Sequence, residues 1–212
     1  MFLETSRNLN RKRSLERTIF VSIEGFASGL PLMAITKLIQ GWLAAIGIPI
    51  GIIGMLGLLE LPYTLKLFWA PIIDHWVIPW PDRRRGWICL LQILIGLILI
   101  VFTRLDPSQK PNDLVLVGIV ALITAVLSAS QDIVVDAYRT DLLPDSERGV
   151  GAAAATLGYR LAMLCIGGGG FFIAGKFGWS NAFLFAALLM LCTAPITIFA
   201  PKLRKLKYPI KN

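Results

Sequence analysis

Apolar residues gather into six long runs, at roughly 19–46, 50–73, 87–103, 114–137, 151–175 and 179–200, separated by short polar stretches. A helix crosses the hydrocarbon layer with about 20 residues at ~1.5 Å each. Five runs reach that length, and the third, with 17 residues, reaches it by adding a turn at either end. The pattern predicts an all-α membrane protein of six transmembrane helices. Its expected divisions are a cytoplasmic basic N-terminus (1–18), a six-helix transmembrane domain (19–200) and a cytoplasmic basic tail (201–212). The first run lacks an A-x-A-like cleavage site in a suitable place, so it reads as a retained helix rather than a signal peptide. Gly167 to Gly170 is the one low-complexity tract.

Composition agrees with the pattern. The apolar share is 56% of the 212 residues and roughly 65% with glycine, against about 45–50% in soluble domains. Only 16% are charged, and mean hydropathy is +0.69. A disordered chain, a collagen-like chain and an ordinary water-soluble enzyme are excluded. The net charge of +8 would point to nucleic acid in a soluble protein. Here the basic residues lie between apolar runs, which is a topological signal, and no nucleic-acid partner is expected. With the N-terminus inside, 15 Lys and Arg fall on inner segments and three, Arg104, Lys110 and Lys176, on outer loops. Both termini are then cytoplasmic, with the lipid bilayer as the surrounding partner. Cys89, Cys165 and Cys192 all lie in apolar runs and read as buried free thiols. A single His argues against a His-based metal site. No HExxH, GxSxG, P-loop or post-strand GxGxxG occurs; neither an enzyme, a cofactor nor a metal is expected.

The apolar runs contain seven ionisable residues: Glu24, Lys37, Glu60, Lys66, Asp132, Asp136 and Arg160. Each costs roughly 2.5–3.5 kcal/mol at the bilayer centre unless paired or wet, so each is a functional hypothesis. Counted from the cytoplasmic ends at ~1.5 Å per residue, Glu24 and Asp132 lie near ~8 Å, Lys66 near ~11 Å and Arg160 near ~14 Å. On the same count Glu60 lies near ~20 Å and Lys37 near ~27 Å. The layers offer three pairs: Asp132–Arg160, Glu24–Lys66 and Lys37–Glu60. Asp132 and Asp136, four apart, share a helical face. Two such carboxylates repel and favour holding a proton. Asp132, the deeper one, fits a proton carrier; Asp136, near the membrane edge, fits a structural lock to Arg139 and Arg160.

Breakers interrupt the first two runs: Gly25, Gly29 and Pro31, then Gly51, Gly54, Gly57 and Pro62. A proline within a span removes a backbone bond and favours a kink. Between runs two and three, Asp74 and the Arg83, Arg84, Arg85, Gly86 sequence can tie helix ends together, with Asp74 meeting a helix terminus or Arg148. Gly167–Gly170 reads as a helix-packing surface. The six Trp mostly sit near span ends, as an interfacial belt does.

Three stretches carry a resemblance: GFASGLPL at 25–32, LPYTLKLFWAPIID at 61–74 with RRRGW at 83–87, and SASQDIVVDAYRTDLLPDSERGVGAA at 128–153 followed by LGYRLAML at 157–164. Together they resemble the AmpG-type muropeptide permeases of the major facilitator superfamily. More distant acetyl-CoA transporters resemble the fourth-span motif less closely. The resemblance implies half of a major facilitator fold, in a multi-pass protein of the bacterial inner membrane. It implies proton symport that imports anhydromuropeptides, small glycopeptides, for peptidoglycan recycling. By position it points to Lys66, Gln131, Asp132, Asp136 and Arg160, and to Asp74, Arg85, Arg139 and Asp141 around the cytoplasmic gating loop.

The chain also departs from that family. His75 stands where Arg is expected. Glu24, Lys37 and Glu60 stand where the family has uncharged or small residues, and the joint departure of Lys37 and Glu60 implies a compensating pair. Family members have at least twelve spans, and this chain has six. It is therefore expected to work as a half with a second copy or a separate C-terminal half. The alternatives are a truncated, non-transporting membrane protein with the same fold, and a half-transporter for another solute such as an acyl-CoA-type anion.

Overall fold

The computed structural model describes residues 2–76, 78 and 80–202, with side chains from residue 11 onward. The Arg7 side chain and the tail residues Arg204, Lys205, Lys207 and Lys211 fall outside the described residues. Among those described, six helices are long and apolar enough to cross a membrane. They are α1 (Arg11–Ala45), α2 (Ile50–Phe68), α3 (Arg83–Phe102), α4 (Pro111–Leu142), α5 (Asp145–Phe177) and α6 (Trp179–Ile198). This is the expected all-α, six-helix architecture.

Local chemistry sets the boundaries. The third helix gains its missing turn at the N-terminal end, because the Asp82 side chain caps it by accepting a bond from the Arg85 backbone N–H at 3.1 Å. Proline stands at the first position of α4, where no backbone donor is missed. Gly47 (φ 80°) and Gly178 (φ 90°) make the turns that separate α1 from α2 and α5 from α6. One helix runs unbroken from Phe2 to Met33 and carries both the basic residues up to Arg17 and the start of the first apolar run.

The breakers act as the sequence implies. Pro31 precedes a π-helical turn at Ala34–Leu38, and α2 is interrupted by 3₁₀ turns at Leu56–Glu60 and Lys66–Phe68 on either side of Pro62. A second π turn, Cys165–Gly170, holds the four glycines, and Leu38 of the first π turn packs on Gly170. Wider turns of this kind form where the regular backbone ladder is broken.

The helices pack mainly as α1 on α5 and α3 on α6, with α4 against α3 and α1, and α2 laid on the outside against α4. The α1–α5 contact is the tightest. A Cβ on Gly158 would run into the Ser22 carbonyl, and one on Gly25 into the Ala155 carbonyl. Only glycine lets the two backbones touch there. In the expected packing surface Gly167–Gly170 the last two glycines face Phe185 and Leu38, whereas a Cβ on Gly167 or Gly168 would meet open space. The main core lies towards the Leu43 end, with Phe183 stacked on Phe102 at 5.1 Å and edge-on to Trp42 at 5.2 Å. Trp42 is thus a core residue rather than part of a belt. Cys89 is buried as expected, whereas Cys192 is exposed on the flank of α6.

Candidate functional site

The charged residues of the membrane interior sort into one chain, one isolated acid and three outward-facing residues. The chain begins on α2, where the 3₁₀ turn at Lys66–Phe68 aims Lys66 at α4. Its Nζ lies 2.6 Å from Asp132 Oδ2 and 3.9 Å from Asp136 Oδ2. Asp136 Oδ1 in turn meets Arg139 at 2.9 Å. Two acids and two bases therefore alternate along the last turns of α4. Each carboxylate has a cationic neighbour, and Lys66 stands between the two acids. One turn earlier, the Trp69 indole N–H donates to Ser130 Oγ at 3.0 Å and fixes α2 on α4.

Beside this chain lies a cavity of about 190 Å³ between α1, α4 and α5, lined among others by Ser28, Asp132, Asp136, Arg139, Thr156 and Tyr159. On its wall Ser28 Oγ is buried without a hydrogen-bond partner, and the amide of Gln131, next to Asp132 in the chain, is likewise unpaired. An unpaired buried group costs about 1–3 kcal/mol.

Several expected pairings do not form. Asp132 meets Lys66, not Arg160. Glu24 meets Gln92 and Thr197, not Lys66. Lys37, Glu60 and Arg160 are exposed, and none forms an ion pair among the described residues. The reason is rotational: the spacing along the chain does not tell which face each helix turns to its neighbour.

A second cluster closes the end of the bundle. Asp74 Oδ1 meets Arg84 Nη1 at 2.5 Å, Arg84 Nε reaches Asp141 at 3.3 Å, and Arg83 donates to the Asp74 carbonyl. The loop before α3 is thereby tied to the end of α4. Arg148 pairs with its own neighbour Asp145 at 3.0 Å, not with Asp74. Arg85 is only 3% exposed. It is held by Asp82 at 2.5 Å and donates to the carbonyls of Ile198 and Ala200 at 3.0 and 2.7 Å. Tyr138 donates to the next carbonyl, Pro201, at 2.9 Å. Together they pin the end of α6.

Sequence reasoning missed several of these residues. Arg17 grips Glu147 with two bonds, at 2.9 and 2.6 Å, and joins α1 to the start of α5. Gln92 and Thr197 were also passed over. Their signal was present, as single polar residues within apolar runs, though weaker than a formal charge.

This is the architecture of a multi-pass membrane transporter module. The family model described as acetyl-coenzyme A transporter 1 matches residues 18–167, and the chain belongs to that family. That match includes the fourth-span motif. The chain is also 40% identical to the "Anhydromuropeptide permease" of Escherichia coli (strain K12), over 88% of this chain and 38% of the permease. It is 33% identical to "Putative transporter AmpG 4" of Rickettsia felis, over 86% of this chain and 44% of that protein. "Putative transporter AmpG 3" of Rickettsia typhi is 32% identical, over 89% and 45%. The chain thus spans less than half the length of these curated relatives. It is an AmpG-like sequence, and the names borne by the relatives are those of permeases and transporters, not enzymes.

Proposed function

We propose that this chain supplies one six-helix half of a proton-coupled transporter of the bacterial inner membrane, and that it imports an anhydromuropeptide for cell-wall recycling. The observation that carries the reading is the alternating Asp132–Lys66–Asp136–Arg139 chain beside a polar cavity lined by Ser28, Thr156 and Tyr159. When Asp132 takes up a proton it releases Lys66, whose second partner, Asp136, is 3.9 Å away. The four groups then carry a net positive charge that an anionic group of the substrate complements. Ser28, Thr156 and Tyr159 on the cavity wall supply donors and acceptors for its sugar hydroxyls and amides. Return of the proton to the inner side restores the Lys66–Asp132 pair and expels the anion. Arg83, Arg84, Asp74 and Asp141 close the inner end through the first half of that cycle.

Exposed Lys37, Glu60 and Arg160 support a second set of helices packed against them. Exposed charges at membrane depth are costly against lipid, and alternating access works by rocking one half on another around a midplane site. Membership of the acetyl-coenzyme A transporter family favours one other substrate for the same site, an acyl-CoA-type anion, which the same positive state would attract.

The test is uptake of radiolabelled anhydromuropeptide by permease-null cells. These express the chain alone or with the C-terminal half of an AmpG-type relative, with and without a protonophore. Uptake by the pair is expected to stop with the protonophore. It should fall about tenfold or more in Asp132→Asn, the factor that ~1.4 kcal/mol of lost interaction gives. No uptake by the pair, with both polypeptides in the membrane, overturns the substrate assignment. Labelled acyl-CoA is the comparison substrate.

A further inference from the structure

Glu24 sits apart from the coupling chain, on the face of α1 turned to α3 and α6. It is 1% exposed, and its two partners, Gln92 and Thr197, are at 0%. Among the described residues no Lys, Arg or His pairs with it. The titratable groups near it are the Cys89 thiol of α3 and the Tyr138 phenol of α4.

The three side chains form a closed triangle. Thr197 Oγ1 is 2.8 Å from Glu24 Oε1 and 2.9 Å from Gln92 Oε1, and Gln92 Nε2 is 3.1 Å from Glu24 Oε2. Three contacts need three hydrogens. The threonine hydroxyl has one. The glutamine amide can place one on the triangle, since only one of its two ends carries N–H. Exchanging the amide N and O leaves the count the same. With Glu24 ionised, one edge brings two acceptors together, buried, without a hydrogen between them. The Thr193 carbonyl at 3.1 Å from Thr197 Oγ1 adds a further acceptor and no donor.

We propose that Glu24 is a proton-binding site, neutral in the folded protein, whose carboxylic O–H completes a three-membered hydrogen-bond ring with Thr197 and Gln92 and so clasps α1 to α3 and α6. The Glu24 O–H donates to Thr197 Oγ1, the Thr197 O–H donates to Gln92 Oε1, and a Gln92 N–H donates to Glu24 Oε2. Every member gives one bond and takes one. The ring is separate from the Lys66–Asp132 pair and independent of the transport reading, which stands or falls on uptake.

Infrared difference spectroscopy of the full chain in proteoliposomes at neutral pH tests this. The wild type should show the C=O stretch of a neutral carboxylic acid, and Glu24→Gln should lack it. Glu24→Gln, whose amide N–H replaces the acid O–H, should keep the wild-type thermal midpoint. That midpoint should not fall in alkaline buffer, where the wild-type value does. Glu24→Ala should lower it at every pH. Thr197→Val, which removes the acceptor of the acid O–H, should move the C=O stretch to higher frequency. The proposal is overturned if the band is missing from the wild type or persists in Glu24→Gln. It is also overturned if Glu24→Gln fails to fold or unfolds as early as Glu24→Ala, or if Thr197→Val leaves the band in place.

Discussion

Lys66 is the residue on which the proposed site turns, because it reaches two acids at unequal distance, 2.6 and 3.9 Å. Deleting one partner of a fully buried pair costs about 3–5 kcal/mol. The Lys66 and Asp132 side chains keep 23% and 32% exposure, so a smaller coupling, about 1–2 kcal/mol, is expected. Lys66→Met should therefore lower the thermal midpoint in detergent more than the double change Lys66→Met with Asp132→Asn does, since the double removes the stranded carboxylate. Additive losses would show that the two side chains do not interact. Lys37 and Glu60 provide the contrast. Both are exposed without a mutual pair, so Lys37→Glu, Glu60→Lys and their combination should be additive to within ~0.5 kcal/mol in the same assay. This reverses the rescue that their joint departure from the family pattern implied. The charged residue types within the spans were legible in the sequence. Partners were not, because they depend on how each helix is rotated about its axis.

At the scale of elements, the contact between α1 and α5 depends on two glycines. The carbonyl of Ser22 occupies the space a Cβ on Gly158 would need, and Phe26 N lies 2.9 Å from the same point. Neither is the flexible end of a side chain, so the helices themselves must separate. Gly158→Ala should destabilise the protein by about 1–3 kcal/mol, whereas Gly118→Ala on α4, where a Cβ meets nothing within 4 Å, should be neutral or slightly stabilising. Thermal unfolding of the two variants side by side checks this. Equal effects would mean that the α1–α5 contact is not close. The six spans were readable from apolar run length, and the breaks near Pro31 and Pro62 from the prolines themselves. The tight glycine contact was not, and attention fell instead on Gly167–Gly170. A run of glycines is conspicuous in a sequence, but close approach is decided by which single glycine faces a neighbour. An extra turn of α3 was expected at one end or the other, and the Asp82 cap decides for the start, where Arg83, Arg84 and Arg85 read as loop charge.

For the whole molecule, the distribution of ion pairs has a consequence for orientation. The Arg17–Glu147 clasp, the Asp74–Arg84–Asp141 tie and the buried Arg85 all lie at one end of the bundle. The turn between α3 and α4 at the other end is held by local bonds of Asp106, such as that to Ser108 Oγ. Ten of the Lys and Arg with described side chains, from Arg11 to Lys202, lie in the segments at this end, against Arg104, Lys110 and Lys176 at the opposite end. Segments so charged are expected on the cytoplasmic side. The pairs reduce the net charge at that end but do not reverse its sign, since several of the basic groups there, Arg11 and Lys12 among them, form no ion pair among the described residues. Alkaline phosphatase fused after Ser108 should therefore be active in cells, and the same fusion after Asp145 inactive. Fluorescent protein fusions should show the reverse pattern. If both alkaline phosphatase fusions were active, α4 would not cross the membrane. If the pattern were inverted, the closed end would face outward, and the proposed order of events, with entry from the outer side and release of proton and anion to the inner side, would have to run the other way.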